Sequence, residues 1–138
     1  MLALEILKFT PDLEIGVPKI DNQHKELLNR LNVLIELGQN AVNKSETEKT
    51  LDFLGSYVVK HFGDEEVFQL LCNYPKHIQH RKEHLDFVDT FQKLKQKYLQ
   101  KGVSPEFTNE LTASIVEWTV QHIRGSDMDI GKFVHSQK

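Results

Sequence analysis

Cysteine is nearly absent from this sequence, which has Cys72 alone among its 138 residues. A single cysteine cannot form an internal disulfide bond or supply the thiolates of a cysteine-based zinc site or an iron–sulfur cluster. No segment reaches the roughly 18 consecutive apolar residues of a membrane-spanning helix. The N-terminal segment MLALEIL contains an acid and lacks the basic start and cleavage site of a signal peptide. We therefore expect a soluble, cytoplasmic protein with no membrane partner.

Clusters of positive charge are missing as well. The 17 lysines and arginines are outnumbered by 20 acids, the net charge is −3, and no run of basic residues occurs. Since nucleic-acid binding requires a basic stripe or patch, we expect no nucleic-acid partner. The chain length is that of one compact domain with its own hydrophobic core.

Strand signals are absent, and the apolar residues instead recur at spacings of three and four. This period predicts four helices at approximately 19–41, 46–71, 76–101 and 105–131. They follow an N-terminal arm, residues 1–18, which contains two prolines and a glycine and has no sustained period. Short connections between long helices favour neighbours that run antiparallel. The predicted fold is an all-α, up-down-up-down four-helix bundle with an N-terminal arm.

Five of the seven histidines fall on the stripes that should face the bundle axis, which is unusual for a core. They are His24, His61, His80, His84 and His122. Taken singly, a histidine on an apolar face is more often an ordinary core residue than a ligand. Glu65 follows His61 by four residues and shares its stripe, whereas Glu66 should point to solvent. Five imidazoles and a carboxylate in a core would lack partners unless a cation binds them.

The donor types limit the choice of metal. Imidazole and carboxylate ligands suit iron, zinc, manganese or copper. The sequence has no HExxH motif, which excludes the usual metalloprotease site. It also has no Glu-x-x-His, which argues against the ferritin-like di-iron ligand set.

Asp127 joins this set only if the fourth helix is distorted. It lies five residues after His122, and on a regular helix the two would diverge by about 140°. Gly125 and Ser126 lie between them, where a π-type widening or a fraying last turn would bring Asp127 inward. Otherwise Asp127 is an exposed residue near the helix end.

Four segments resemble the ligand motifs of the hemerythrin family in its single-domain bacterial form, bacteriohemerythrin. They are IDNQH (20–24), HFGDEE (61–66), HRKEH (80–84) and HIRGSD (122–127), and they have the family's order and spacing. The resemblance implies two non-haem iron ions joined by a hydroxo or oxo bridge. It places His80, His84 and His122 on one iron, His24 and His61 on the other, and Glu65 and Asp127 between them. The vacant position falls on the iron with two histidines, where dioxygen would bind.

The resemblance also implies a dry oxygen pocket beside that vacancy. The matching wall residues are Leu27, Phe62, Trp118, Thr119 and Ile123, although ordinary core packing would also explain them. Thr119 departs from the family, which usually has an apolar residue after this tryptophan. Its hydroxyl either faces the vacancy and admits water and protons, or bonds back to the Ile115 carbonyl and presents only its methyl group.

Three functions are compatible with these residues. The first is a non-enzymatic protein that binds dioxygen reversibly for storage, delivery or scavenging, with no catalytic residue. The second is a di-iron redox enzyme that reduces peroxide or nitric oxide with an electron donor, which the Thr119 hydroxyl favours. The third is an oxygen, redox or iron sensor that acts through a separate partner. The sequence does not predict the oligomeric state.

Overall fold

The structure is a computed structural model that describes residues 5–39, 44–101 and 105–137. Its long helices are α1 (Pro18–Gln39), α2 (Lys44–Leu71), α3 (His77–Lys101) and α4 (Pro105–His122). A π-helical turn (Ile123–Asp127) continues α4 directly into α5 (Met128–Ser136). These ranges contain no β-strand, and none of their helices is long and apolar enough to cross a membrane.

The helix bounds differ slightly from those expected from the sequence. α1 and α2 begin at Pro18 and Lys44, one and two residues earlier, which is the usual uncertainty of helix ends. The expected end of the first helix at residue 41 lies outside the described residues. The last helical stretch runs past residue 131 to Ser136, and in this extension Phe133 packs against Tyr74 with ring centroids 5.6 Å apart.

The four long helices form a closed ring in which each packs against two neighbours. α1 contacts α2 and α4, and α3 contacts the same two helices. This arrangement confirms the predicted all-α bundle and turns one stripe of every helix towards the axis. Aliphatic and aromatic side chains fill the core, among them Leu31, Leu34, Leu51, Leu54, Phe91, Leu111 and Ile115. Burying each such side chain contributes roughly 1.5–3 kcal/mol.

The N-terminal arm is fastened to both α1 and the π-helical turn. The backbone amides of Ile15 and Gly16 donate to the two carboxylate oxygens of Asp21, at 2.9 and 3.1 Å. Arg124 of the π-helical turn donates to Asp12 of the arm at 2.8 Å. The arm thus braces the segment that ends at Asp127.

Candidate metal centre

The seven predicted ligands converge at one place between the four long helices. Each is at most 8% exposed. They form two overlapping groups of ligand atoms, and within each group these atoms lie within 4.8 Å of one another. The three-histidine group contains His80, His84 and His122, and the two-histidine group contains His24 and His61. Glu65 and Asp127 belong to both groups.

Glu65 divides its two oxygens between the groups. Its Oε1 lies 2.8 Å from Nε2 of His80 and 3.1 Å from Nε2 of His84. Its Oε2 faces the two-histidine group, 3.4 Å from Nε2 of His61 and 3.8 Å from Nε2 of His24. A carboxylate in this position has one oxygen available for each of two cations.

The two carboxylate oxygens of Asp127 are divided between the groups in the same way. Its Oδ1 lies 3.0 Å from Nε2 of His80 and 3.2 Å from Nε2 of His122. Its Oδ2 lies 3.0 Å from Nε2 of His24. This position depends on the π-helical turn, whose wider turn lets residues five apart face the same side. The predicted distortion of the fourth helix is therefore confirmed.

The imidazoles present their Nε2 atoms to one another inside the bundle. These atoms are 3.1 Å apart between His24 and His61, and 2.9 and 3.2 Å from His122 to His80 and His84. Each nitrogen pair can share only one proton, so lone pairs are left over. In the part of the chain that the structure describes, the buried oxygens of Glu65 and Asp127 have no hydrogen-bond partner. Such a set of donor atoms fits cations, which would satisfy the orphaned atoms.

The charges of these groups are strongly coupled. Burial and the nearby Asp127 raise the pKa of Glu65, but the surrounding imidazoles outweigh them and hold it at about 2. Burial lowers the pKa of His80, yet Asp127 and Glu65 raise it to about 10. The pKa of Asp127 is well below its usual range because the imidazoles of His122, His24 and His80 overcome its burial. Cation binding here would therefore compete with a proton.

Three polar residues contact the outward Nδ1 atoms of the ligands, and sequence reasoning missed all three. Gln23 Oε1 lies 2.7 Å from His61 Nδ1, and Glu66 Oε2 lies 3.1 Å from His84 Nδ1. Glu83 Oε2 lies 3.5 Å from His122 Nδ1. The expectation that Glu66 points to solvent is wrong, because α3 packs beside this position and its His84 is within reach. The sequence did contain one indication of these contacts, because each of the three residues is the direct neighbour of a predicted ligand.

A small cavity of about 20 Å³ lies beside the two-histidine group. All five residues expected in the oxygen pocket line it, namely Leu27, Phe62, Trp118, Thr119 and Ile123. Val58 and Phe87, which were not assigned to the pocket, also line it. The remaining lining residues are ligands from both groups, namely His24, His61, His122 and Asp127. The volume is just enough for one molecule the size of water.

Aromatic rings fix the ligands of the three-histidine group from the cavity side. The Phe62 ring stacks on His84 with centroids 3.8 Å apart, and the Trp118 ring stacks on His122 at 4.4 Å. Thr119 is 8% exposed, and within the described residues its hydroxyl makes no hydrogen bond to the Ile115 carbonyl. The second of the two alternatives for Thr119 is thus not realised. His77 and His135 lie outside both ligand groups.

Comparisons with known proteins agree with this site. A family model described as the hemerythrin HHE cation binding domain matches residues 15–134. The bacteriohemerythrin of Stenotrophomonas maltophilia (strain R551-3) is 27% identical over 124 residues, which cover 90% of this chain and 78% of that protein. The myohemerythrin of Theromyzon tessulatum is 30% identical over 114 residues, which cover 83% of this chain and 82% of that protein.

A solved structure extends the similarity to the fold. The crystal structure of a wild-type hemerythrin superposes with a TM-score of 0.82 at 28% identity, and the match covers 93% of this chain and 97% of that chain. The family model and the relatives each span most of the sequence. This chain belongs to the hemerythrin family and carries its cation-binding domain.

Proposed function

We propose that this protein binds dioxygen reversibly at a non-haem di-iron centre. The observation that carries the proposal is the division of two buried carboxylates, Glu65 and Asp127, between two histidine groups. A single cation would use only one oxygen of each carboxylate and leave the imidazoles of the other group without a partner. A pair of cations satisfies all seven side chains.

The seven ligands have distinct roles in this proposal. The three-histidine group would hold one iron, the two-histidine group the other, and Glu65 and Asp127 would bridge them. When bound, the iron pair supplies the two electrons that dioxygen takes up on binding and returns on release. The two-histidine group offers fewer donor atoms, so its cation retains room for a further ligand.

The cavity supports this assignment because it adjoins the two-histidine group. His24 and His61 line it together with the apolar side chains of Leu27, Phe62 and Ile123. Apart from the ligands and Thr119, the walls of the cavity are apolar, and its volume leaves no room for bulk water. Reversible oxygen binding requires that bulk water is excluded. The small uncharged dioxygen molecule fits such a cavity better than a charged substrate would.

The lone cysteine supports a cytoplasmic location.

The proposal is tested with anaerobically reduced, iron-loaded protein that is exposed to air and then degassed. A visible absorption band should appear with air and disappear on degassing over several cycles, and metal analysis should find two irons per chain. The zinc-loaded protein is the control, because zinc fills the ligands without redox chemistry and should give no band. Fewer than two irons, or no band that responds to oxygen, would overturn the proposal.

A redox enzyme that reduces peroxide or nitric oxide is the second candidate, and Thr119 favours it. Thr119 lines the cavity and its hydroxyl is not bound to the Ile115 carbonyl, so we propose this hydroxyl as a proton donor there. In the same experiment this candidate predicts direct conversion to a stable oxidised spectrum. Turnover of peroxide or nitric oxide with an added electron donor would then establish the activity.

A further inference from the structure

We propose that Glu66 and Glu83 are positioning residues that make the three-histidine group the tighter of the two cation sites, so that the sites fill in a fixed order. This inference rests on the proposed pair of cations and adds that the two sites bind them with different affinities. Its basis is that the outward Nδ1 atoms contact carboxylates in the three-histidine group and a neutral amide in the two-histidine group.

On the three-histidine side, the first outer contact is a carboxylate. Glu66 Oε2 lies 3.1 Å from Nδ1 of His84, and the Glu66 side chain is 28% exposed. Its other oxygen lies 3.5 Å from the Arg81 guanidinium. Glu66 is therefore held between a cation at the surface and a buried ligand. Its carboxylate oxygen contacts the His84 ring directly, so no solvent layer separates the charge from this ligand.

The second outer contact on this side is also a carboxylate. Glu83 Oε2 lies 3.5 Å from Nδ1 of His122 and accepts a hydrogen bond of 2.7 Å from the Ser126 hydroxyl. Ser126 belongs to the π-helical turn that ends at Asp127. Glu83 thus places its charge beside one ligand and braces the turn that carries another.

On the two-histidine side, the outer contact is a neutral amide. The Gln23 amide nitrogen donates to Asp64 at 2.8 Å, which leaves Gln23 Oε1 to accept the Nδ1 proton of His61 at 2.7 Å. On this side the carboxylate of Asp64 reaches the His61 ring only through the Gln23 amide, whereas Glu66 contacts the His84 ring directly. Nδ1 of His24 has no hydrogen-bond partner in the described part of the chain, and neither has Nδ1 of His80 in the three-histidine group, so the contrast lies between His61 on one side and His84 and His122 on the other.

This difference has a definite electronic consequence. When His84 donates its Nδ1 proton to the Glu66 carboxylate it becomes a more basic ligand at Nε2, and charge-assisted hydrogen bonds are about twice as strong as neutral ones. Glu83 lies 3.5 Å from Nδ1 of His122, beyond hydrogen-bond distance, and acts on that ligand through its charge. The two carboxylates also add negative charge beside the three-histidine group, offset in part at Glu66 by Arg81, and this charge attracts a cation there more strongly. The third imidazole alone favours this group as well, so the test must change the outer charge while leaving the ligands intact.

The experiment is a titration of metal-free protein with Co²⁺, followed by calorimetry and visible absorption. The wild-type protein should bind two equivalents in two resolved steps. Glu66→Gln and Glu83→Gln keep the side-chain shape and remove the charge, and each should weaken the first step by about 10–100-fold and leave the second nearly unchanged. The control is Asp86→Asn, which removes the same charge from an exposed residue of α3 near His84 and should change neither step.

A spectroscopic readout separates this role from simple structural support. In the zinc-loaded protein, the His84 Nδ1 proton resonance should move upfield in Glu66→Gln, with thermal unfolding unchanged within a few degrees. The inference is overturned if both steps weaken equally, or if neither Glu66→Gln nor Glu83→Gln differs from Asp86→Asn. Failure of the wild-type protein to bind two cations would instead overturn the proposed function.

Discussion

Gly131 of α5 packs directly against the backbone of Ile15 in the N-terminal arm. A Cβ atom at Gly131 would overlap the Ile15 carbonyl oxygen, and a backbone atom cannot move aside as a flexible side chain can. Ile15 is itself 3% exposed and its amide is bound to Asp21, so the arm has no freedom to retreat. This close approach fastens the arm to the helix that follows Asp127.

We predict that Gly131→Ala destabilises the protein by about 1–3 kcal/mol, the usual cost of overpacking. Gly63→Ala is the matched control, because a Cβ atom there meets nothing within 4 Å on an exposed helix surface. Alanine at that position should stabilise the protein by up to about 1 kcal/mol, since glycine is the weaker helix former. Urea unfolding of the three proteins measures both changes. Equal stabilities of Gly131→Ala and wild type would show that the arm yields.

Replacing a bridging carboxylate should cost one metal ion. Glu65→Gln keeps the shape of the side chain but turns one oxygen into an amide nitrogen, which carries no free lone pair for a cation. We therefore predict one iron per chain after reconstitution in place of two, measured by metal analysis. Asp86→Asn is the control, because Asp86 is an exposed residue of α3 outside the ligand groups and its variant should retain two irons. Two irons in Glu65→Gln would contradict a bridging role.

The sequence predicted the positions of the ligands more fully than it predicted the residues around them. A helical period of 3.6 determines which stripe faces the axis, so His24, His61 and His84 were placed there from the sequence. The same period led to the wrong position for Glu66, because the residue that follows a buried helical residue normally faces solvent. Whether α3 stands close enough to meet that side chain is a property of the packed bundle. The contact between Gly131 and Ile15 was unpredictable for the same reason.

Tyr74 controls the ionisation of Asp129 at the rim of the centre. The hydrogen bond from the Tyr74 hydroxyl is the main cause that lowers the pKa of Asp129, with Lys76 adding to it and slight burial opposing it. Tyr74→Phe should therefore raise this pKa towards about 3.9, its ordinary value. Carbon NMR of the carboxyl group measures it. Tyr57→Phe is the control, because Tyr57 does not contact Asp129, and it should leave this pKa unchanged.

The sign of the pH dependence follows from that shift. A carboxyl whose pKa is lower in the folded state contributes stability above the unfolded pKa, and this contribution disappears as the pH falls through the folded value. The stability difference between wild type and Tyr74→Phe should thus be largest at neutral pH and shrink on acidification below about pH 4. A difference that is constant with pH would assign the effect to packing alone.

Thr119 lines the cavity beside the ligands, and removal of its hydroxyl group should prolong the oxygenated state. Irreversible oxidation consumes protons, and a hydroxyl beside the two-histidine group can deliver them. We predict that Thr119→Leu and the isosteric Thr119→Val slow autoxidation roughly tenfold, equivalent to ~1.4 kcal/mol in the barrier. The decay of the oxygenated absorption band in air measures this rate.

The control for that prediction must remove a threonine hydroxyl away from the cavity. Thr112 is suitable because it lies two turns earlier on α4, is fully buried, and donates its hydroxyl to the Thr108 carbonyl at 2.8 Å. Thr112→Val should leave the decay rate unchanged. If Thr119→Leu slows the decay but Thr119→Val does not, filling the cavity matters and the hydroxyl does not. Unchanged decay in both variants would remove Thr119 from the chemistry of the oxygenated state.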